Sequence, residues 1–228
     1  MRSPRYLAAG DAALIVEFGD QIDREISQRV VALAKELTRH PIPGLVEVVP
    51  TYRSALIHYD PLRSSYDEMV EGLRSCGERM GGLRPEGSRL LEIPTTYGGE
   101  YGPDLQYVAE HNGLSVQQVV QIHSSADYYV YMLGFLPGFP YLGGLDPRIA
   151  TPRLSTPRSR VAVGSVGIGG GQTGVYPVES PGGWRIIGRT AIKLFDASQD
   201  PPALLKPGDR VRFVPLSGEE IAGGGRDH

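Results

Sequence analysis

The apolar positions of this chain change period more than once. From Ala12 to Phe18 (AALIVEF) the residues read as a strand, entered through a turn at Gly10-Asp11. Between Ile22 and His40 the spacing lengthens. Ile22, Ile26, Val30, Leu33 and Leu37 recur at intervals of four, four, three and four, which gathers them on one stripe of a helix. The segment PIPG at Pro41 to Gly44 stops that helix. Leu45 to Val49 and Ser54 to Tyr59 return to strand texture around PTYR and predict a hairpin. Ser65 with Glu68 has the spacing of a capping box, in which each side chain satisfies a backbone N–H at a helix start. Met69, Leu73, Cys76 and Met80 supply the apolar stripe behind it. The succession βαββα predicts a small sheet covered on one face by two helices, an α+β domain over residues 1–83, with Cys76 turned into its core. Gly81-Gly82 and Pro85 to Ser88 read as a linker, placed at 84–89.

From residue 90 to 228 the texture is different. The helical period occurs once, from Asp104 to about Ser124, where Asn112-Gly113 ends one short helix and Ser115 with Gln118 boxes the start of another. The remainder is strand and turn: Arg89 to Ile93, Arg160 to Ile168, Trp184 to Ile187, Ile192 to Phe195 and Arg210 to Val214. This predicts a closed, mostly-β barrel with a helical insert. Within it, Tyr131 to Leu145 (YMLGFLPGFPYLGGL) carries four aromatics, four glycines, two prolines and no charge. Neither a helix nor a membrane span suits that composition; a shaped aromatic wall held in bends by Gly and Pro does.

Composition narrows the function classes. Lys and Arg number 23 against 26 Asp and Glu, near balance on both sides of Ser88, so no basic face for nucleic acid stands out. One cysteine excludes an internal disulfide framework, no apolar run approaches a bilayer span of roughly 20 residues, and no secretory h-region follows Met-Arg-Ser-Pro-Arg. A soluble protein of the reducing cytoplasm, without membrane or nucleic-acid partners, is expected.

The candidate chemistry lies in four stretches. Gly164 to Gly174 (GSVGIGGGQTG) formally contains G-x-G-x-x-G. A dinucleotide site needs a helix to start at the last glycine, and VYPVESPGGW follows instead. A Walker loop lacks its Gly-Lys-Ser/Thr. Two readings stay open: a loop whose bare backbone admits a ligand beside Gln172 and Thr173, or a tight barrel corner. DPRIATPRLSTPRSR crowds Arg148, Arg153, Arg158 and Arg160 within thirteen residues, a candidate anion clamp or an exposed loop. ESPGGWRIIGRT brings the single tryptophan, Trp184, and Arg189. The histidines at 40, 58, 111, 123 and 228 have no metal-site spacing, so no metal is expected. His123, near a helix C-terminus whose dipole favours the charged form, is the candidate acid–base.

YMLGFLPGFPYLGGL, TPRLSTPR, VGSVGIGGGQTGVYPVESPGGWRIIGRT and GPDLQYVAEHNGLSVQQVVQIHSS together resemble the family of the 5-oxoprolinase B subunit, also called allophanate hydrolase subunit 1 and KipI, a sporulation-kinase inhibitor. The resemblance runs through nearly the whole chain. It implies a ferredoxin-like N-terminal domain, a cyclophilin-like barrel, and partnership with the 5-oxoprolinase C subunit (allophanate hydrolase subunit 2 type) and A subunit, which together use ATP, with magnesium, to hydrolyse 5-oxoproline to glutamate. No metal or biotin is expected on this chain. For such a site the expected residues are Arg153, Arg158 and Gln172 on the anionic group, Phe139 and Tyr141 as walls, Arg189 completing the pocket and His123 as acid–base. With no complete triad or nucleotide loop here, the active site is expected to be shared with the C subunit. Two other branches of the resemblance are a carboxyltransferase-type module of a urea carboxylase and a non-enzymatic histidine-kinase inhibitor.

Overall fold

Alternation builds the first sheet. Leu14, Val16 and Phe18 are buried, as are Ala55, Ile57 and Tyr59, every second residue of two neighbouring strands. In the computed structural model, which describes residues 3–80 and 88–216, the chain divides into two compact units on either side of Ser88. The first comprises β1 (Arg5–Ala8), β2 (Ala13–Glu17), α1 (Arg24–Arg39), β3 (Leu45–Pro50), β4 (Ser54–Tyr59) and α2 (Tyr66–Met80). The strands form one antiparallel sheet in the order β1-β2-β4-β3. Val30, Leu33 and Leu37 of α1 and Met69, Leu73 and Cys76 of α2 pack on the buried positions of β2 and β4. Burial pushes the Cys76 thiol upward, which keeps it protonated.

Two local details set helix ends. Asp23 accepts the N–H groups of Glu25 and Ile26 and so starts α1 at Arg24; the expected first member of the apolar stripe, Ile22, lies outside the helix and is 61% exposed. The Ser65–Glu68 box is present: the Ser65 N–H donates to Glu68 Oε2 at 2.8 Å and the Glu68 N–H to Ser65 Oγ at 3.3 Å. The linker assigned to 84–89 lies mostly outside the described residues.

The second unit contains β5 (Leu90–Tyr97), α3 (Leu105–His111), α4 (Val116–Ser125), β6 (Tyr128–Leu133), β7 (Pro140–Gly143), a 3₁₀ turn (Pro147–Ile149), β8 (Arg158–Val161), β9 (Ser165–Gly169), β10 (Gln172–Val175), β11 (Ser180–Gly182), β12 (Arg185–Arg189) and β13 (Arg210–Pro215). Seven strands close a barrel in the order β10-β7-β6-β13-β5-β12-β9, while β8 and β11 pair separately. An odd number of strands cannot close with antiparallel neighbours alone. Here β5 and β13, the first and last described strands of the unit, form the one parallel pair of the ring. Ile93, Val130, Leu142, Val166, Ile168, Ile187 and Phe213 fill the core, joined by Leu105 and Val108 of α3 and Val119 of α4.

Two strand expectations change, and so does the reading of the aromatic stretch. Arg160 to Ile168 is two strands in different sheets, because the chain turns at Gly164 with φ +79°, where a Cβ would lie 2.1 Å from the Thr190 carbonyl oxygen. Ile192 to Phe195 forms no strand beyond one bridge between Phe195 and Ala203. The aromatic stretch is largely regular: β6 and β7 make a hairpin, and only its tip is bent, with Phe135 at φ +65° and 65% exposed. Among the described residues no helix is long and apolar enough to cross a membrane.

Candidate functional site

The glycine run folds as a strand, a two-residue turn and a strand. Gln172 pairs with Gly169, Thr173 with Ile168, Gly174 with Gly167 and Val175 with Val166. Side chains of paired residues share a face, so Val166, Ile168, Thr173 and Val175 point into the barrel and are buried. Gly167, Gly169 and Gly174 then line the outer face beside Gln172. A Cβ on Gly169 would lie 2.6 Å from the Trp184 indole, and one on Gly174 3.1 Å from the Phe139 ring. The close approach that these glycines permit is therefore made by the chain's own tryptophan. Of the two readings left open by the sequence, the tight corner applies at Gly164 and Gly170, at φ +79° and +65°, while the backbone bared between and beyond them is covered by Trp184 and Phe139.

On this bare floor stands a second, aromatic core. Phe139 is its centre, with ring centroids 5.4 Å from Tyr141, 5.4 Å from Tyr176 and 5.5 Å from Trp184, all edge to face. The hairpin tip adds Phe135 at 5.6 Å. No local sequence signal marks Tyr176 as a member of this group. Burial raises its phenol, while a hydrogen bond from the Trp184 backbone and the guanidiniums of Arg153 and Arg158 pull the other way.

Arg153 is placed by backbone bonds on both sides of it. Thr151 bridges Gly170 in the glycine turn, at 3.1 and 2.8 Å, and the Leu154 N–H donates to the Gly183 carbonyl at 2.7 Å. The Arg153 guanidinium stands 5.7 Å from the Trp184 ring centroid, exposed to solvent above it. Arg158, expected beside it as a second anion holder, is committed elsewhere. One of its N–H groups donates to Asp104 Oδ1 at 2.9 Å, and Asp104 Oδ2 accepts the Ile186 N–H at 2.6 Å. That buried carboxylate ties the start of α3 to β12, and Arg158 neutralises it. Arg148 and Arg160 are likewise paired, with Asp146 and Glu179, each at 2.7 Å. Of the four crowded arginines only Arg153 has no carboxylate partner among the described residues.

Arg189 does not join this group. It sits at the far end of β12 from Trp184, roughly 13 Å along the strand from Arg185, and its Nε–H donates to the Val163 carbonyl at 2.9 Å. His123 needs a larger correction. It is wholly buried on α4, packed 4.6 Å from Phe213 and 5.3 Å from Tyr128 between ring centroids. The Thr173 hydroxyl donates to the Gly167 carbonyl at 3.0 Å, so it accepts from Nε2–H at 2.8 Å; Nδ1 then accepts the Tyr97 hydroxyl at 2.7 Å. Both nitrogens are engaged, and burial drives the imidazole down to about 3. Desolvation outweighs the helix dipole, and His123 is a neutral, solvent-inaccessible link from α4 to Tyr97 of β5 and Thr173 of β10. Among the described residues no group of three or more metal-ligating side chains converges.

Phe139, Tyr176 and Trp184 are almost fully buried, so this group is a packed aromatic core floored by glycine and not the open pocket wall expected of Phe139; half-buried Tyr141 and Gln172 and exposed Arg153 mark its outer margin. A family model described as carboxyltransferase domain, subdomain C and D, matches residues 4–205. That defines the class: a carboxyltransferase-type domain. Across 219 residues the chain is 43% identical to the 5-oxoprolinase B subunit of Bacillus subtilis, covering 91% of each protein. It is 46% identical over 215 residues to the 5-oxoprolinase B subunit of Escherichia coli O157:H7, covering 94% of this chain and 97% of that one. The chain belongs to the family of the 5-oxoprolinase B subunit. The solved structure of TTHA0988 superposes with a TM-score of 0.80 at 41% identity over 90% of this chain, which spans only 40% of that longer polypeptide.

Proposed function

We propose that this chain is the B subunit of an ATP-dependent 5-oxoprolinase of the cytoplasm, acting with the C and A subunits to convert 5-oxoproline to glutamate. The observation that carries the reading is the near full-length likeness to two proteins that bear the subunit's name. The chemistry requires a lactam to be activated. On this reading the lactam oxygen takes the terminal phosphoryl group of ATP, releasing ADP; water then adds to the ring carbon, the C–N bond breaks, and phosphate departs. Such a sequence relies on positioning and charge neutralisation. On this reading exposed Arg153, at the margin of the aromatic core, supplies one cation. Among the described residues no metal-ligand cluster converges beside Arg153, and on this reading another polypeptide completes the site.

The test compares the purified chain with its reconstituted complex, measuring ADP release that depends on 5-oxoproline. Turnover is expected only with the C and A subunits present; comparable turnover by the single chain would sink the shared site. The family's description favours a second reading, a carboxyltransferase module whose biotin carrier lies on another polypeptide. Transfer from carboxybiotin by a complex inert to 5-oxoproline would establish that alternative. We further read the first unit as ferredoxin-like, since its βαββα core carries an added edge strand at β1, and the barrel as cyclophilin-like.

A further inference from the structure

The sheet of the first unit ends in two outer strands that are built differently. The β3 edge is blunted: a bulge interrupts it between Leu45 and Glu47, and Pro50 removes a backbone donor at its end. The four residues of β1 carry neither device. The Ala9 N–H donates to the Ala13 carbonyl at 2.9 Å, so in the register that pairs Ala8 with Leu14 the residues turned toward β2 are Arg5, Leu7 and Ala9. Tyr6 and Ala8 alternate with them. Their N–H and C=O groups point away from the sheet, and among the described residues no strand pairs with that side.

The side chains of Tyr6 and Ala8 share the helix-covered face with Val16 and Leu14. There a groove of about 700 Å³ lies between β1 and α2, with Tyr6 and Tyr66 on its walls and Asp67, Glu68 and Glu71 set against a single cation, Arg74. Arg74 is itself occupied, 5.5 Å from the Tyr6 ring centroid and 3.7 Å from a Glu71 carboxylate oxygen. The groove is therefore acidic on balance. On the opposite face Leu7 pairs with Ile15, Ile15 with Leu56 and Leu56 with Val49, an apolar row across all four strands that ends at Leu7, 40% exposed.

A strand added antiparallel to β1, as every pair in this sheet is, would set the residues opposite Tyr6 and Ala8 over the groove and those between them beside Leu7. We propose that the outer edge of β1 is a docking site for an extended segment of a partner polypeptide in which basic and apolar residues alternate, the basic ones entering the groove and the apolar ones prolonging the Leu7 row. A second copy of this chain does not suit the edge, because pairing β1 with β1 brings two acidic grooves side by side.

Fluorescence anisotropy of a labelled hexapeptide of alternating Lys and Val, titrated with the full-length chain, tests this. Saturable binding is expected, about tenfold or more tighter than that of the alternating Glu and Val peptide. Ala8→Pro removes one outward N–H without changing charge or any bond to β2, and should weaken binding about tenfold or more. Asp67→Lys should weaken it about threefold or more, while Glu47→Lys, the same charge change at the β3 edge, should leave it within about twofold. N-methylated peptides probe the same edge on the unaltered protein, so misfolding of a variant does not decide the outcome: methylating the Lys amides, which face β1, should abolish binding, and methylating the Val amides, which face solvent, should not. Absence of saturable binding, equal affinity in Ala8→Pro, or equal loss with both methylated peptides overturns the proposal. So does a chain that sediments as a dimer and becomes monomeric in Ala8→Pro, since the edge would then belong to a second copy.

Discussion

The two faces of the β9–β10 ribbon are built from the same short stretch of chain and do opposite things. Inward, Val166, Ile168 and Val175 join an aliphatic core closed by the barrel; outward, Gly167, Gly169 and Gly174 expose backbone on which Trp184 and Phe139 lie. An aliphatic interior tolerates exchange of shape for shape. Rings seated on bare backbone have no such slack. Glycine at every second position of a strand is here a packing instruction, reserving one face for large flat side chains while the other face carries the fold.

The single tryptophan reports on the outer face alone, and this allows the contrast to be broken. Truncating the interior with Ile168→Ala should lower stability by about 2–5 kcal/mol while the folded protein keeps its native Trp184 emission. Gly169→Val should lower it by about 1–3 kcal/mol and shift the native emission to the red, because the new side chain occupies the indole's seat. The contrast fails if the interior variant shifts the emission or the glycine variant does not; chemical denaturation followed by fluorescence reads both. A smaller effect is expected at the link between helix and wall. Arg158→Ala leaves Asp104 buried without its cation and should cost roughly 2 kcal/mol, below the fully buried case because Arg158 is one-third exposed. A partner change Asp104→Asn should restore part of that loss in a double-mutant cycle. Smallest per step is the pH response of the interior. His123 folds neutral with its acidity shifted down to about 3, so unfolding takes up a proton below the ordinary value of 6.5. Stability should be flat above about pH 6.5 and decline as pH falls beneath it, by up to about 1.4 kcal/mol per pH unit. His123→Gln should flatten the urea midpoints between pH 7 and 5; an unchanged slope would reassign the proton.

Much of the architecture is legible in the sequence because it rests on local rules. The Ser65–Glu68 and Ser115–Gln118 boxes and the α1 and α2 stripes all depend on residues within a turn or two of each other. The site is harder because its decisive contacts are distant in sequence. Asp104 meets Arg158 across 54 positions and Arg89 reaches Asp209 across 120, and no spacing rule distinguishes a paired arginine from an available one. His123 misleads for a related reason: the helix dipole can be read from sequence, but the rings that bury the imidazole come from β6 and β13. One signal does lie in view. The alternation Val166-Gly167-Ile168-Gly169 marks a strand with one bare face, and it leads directly to Trp184 and, through that ring, to Arg153.

The lone parallel pair has a geometric consequence for any larger assembly. Because β5 and β13 run the same way, the polypeptide comes into the barrel at Leu90 on one rim and leaves it at Pro215 on the opposite rim, roughly 20 Å away along six strand residues. A tether attached ahead of Leu90 and one attached after Pro215 would therefore reach the barrel at different mouths.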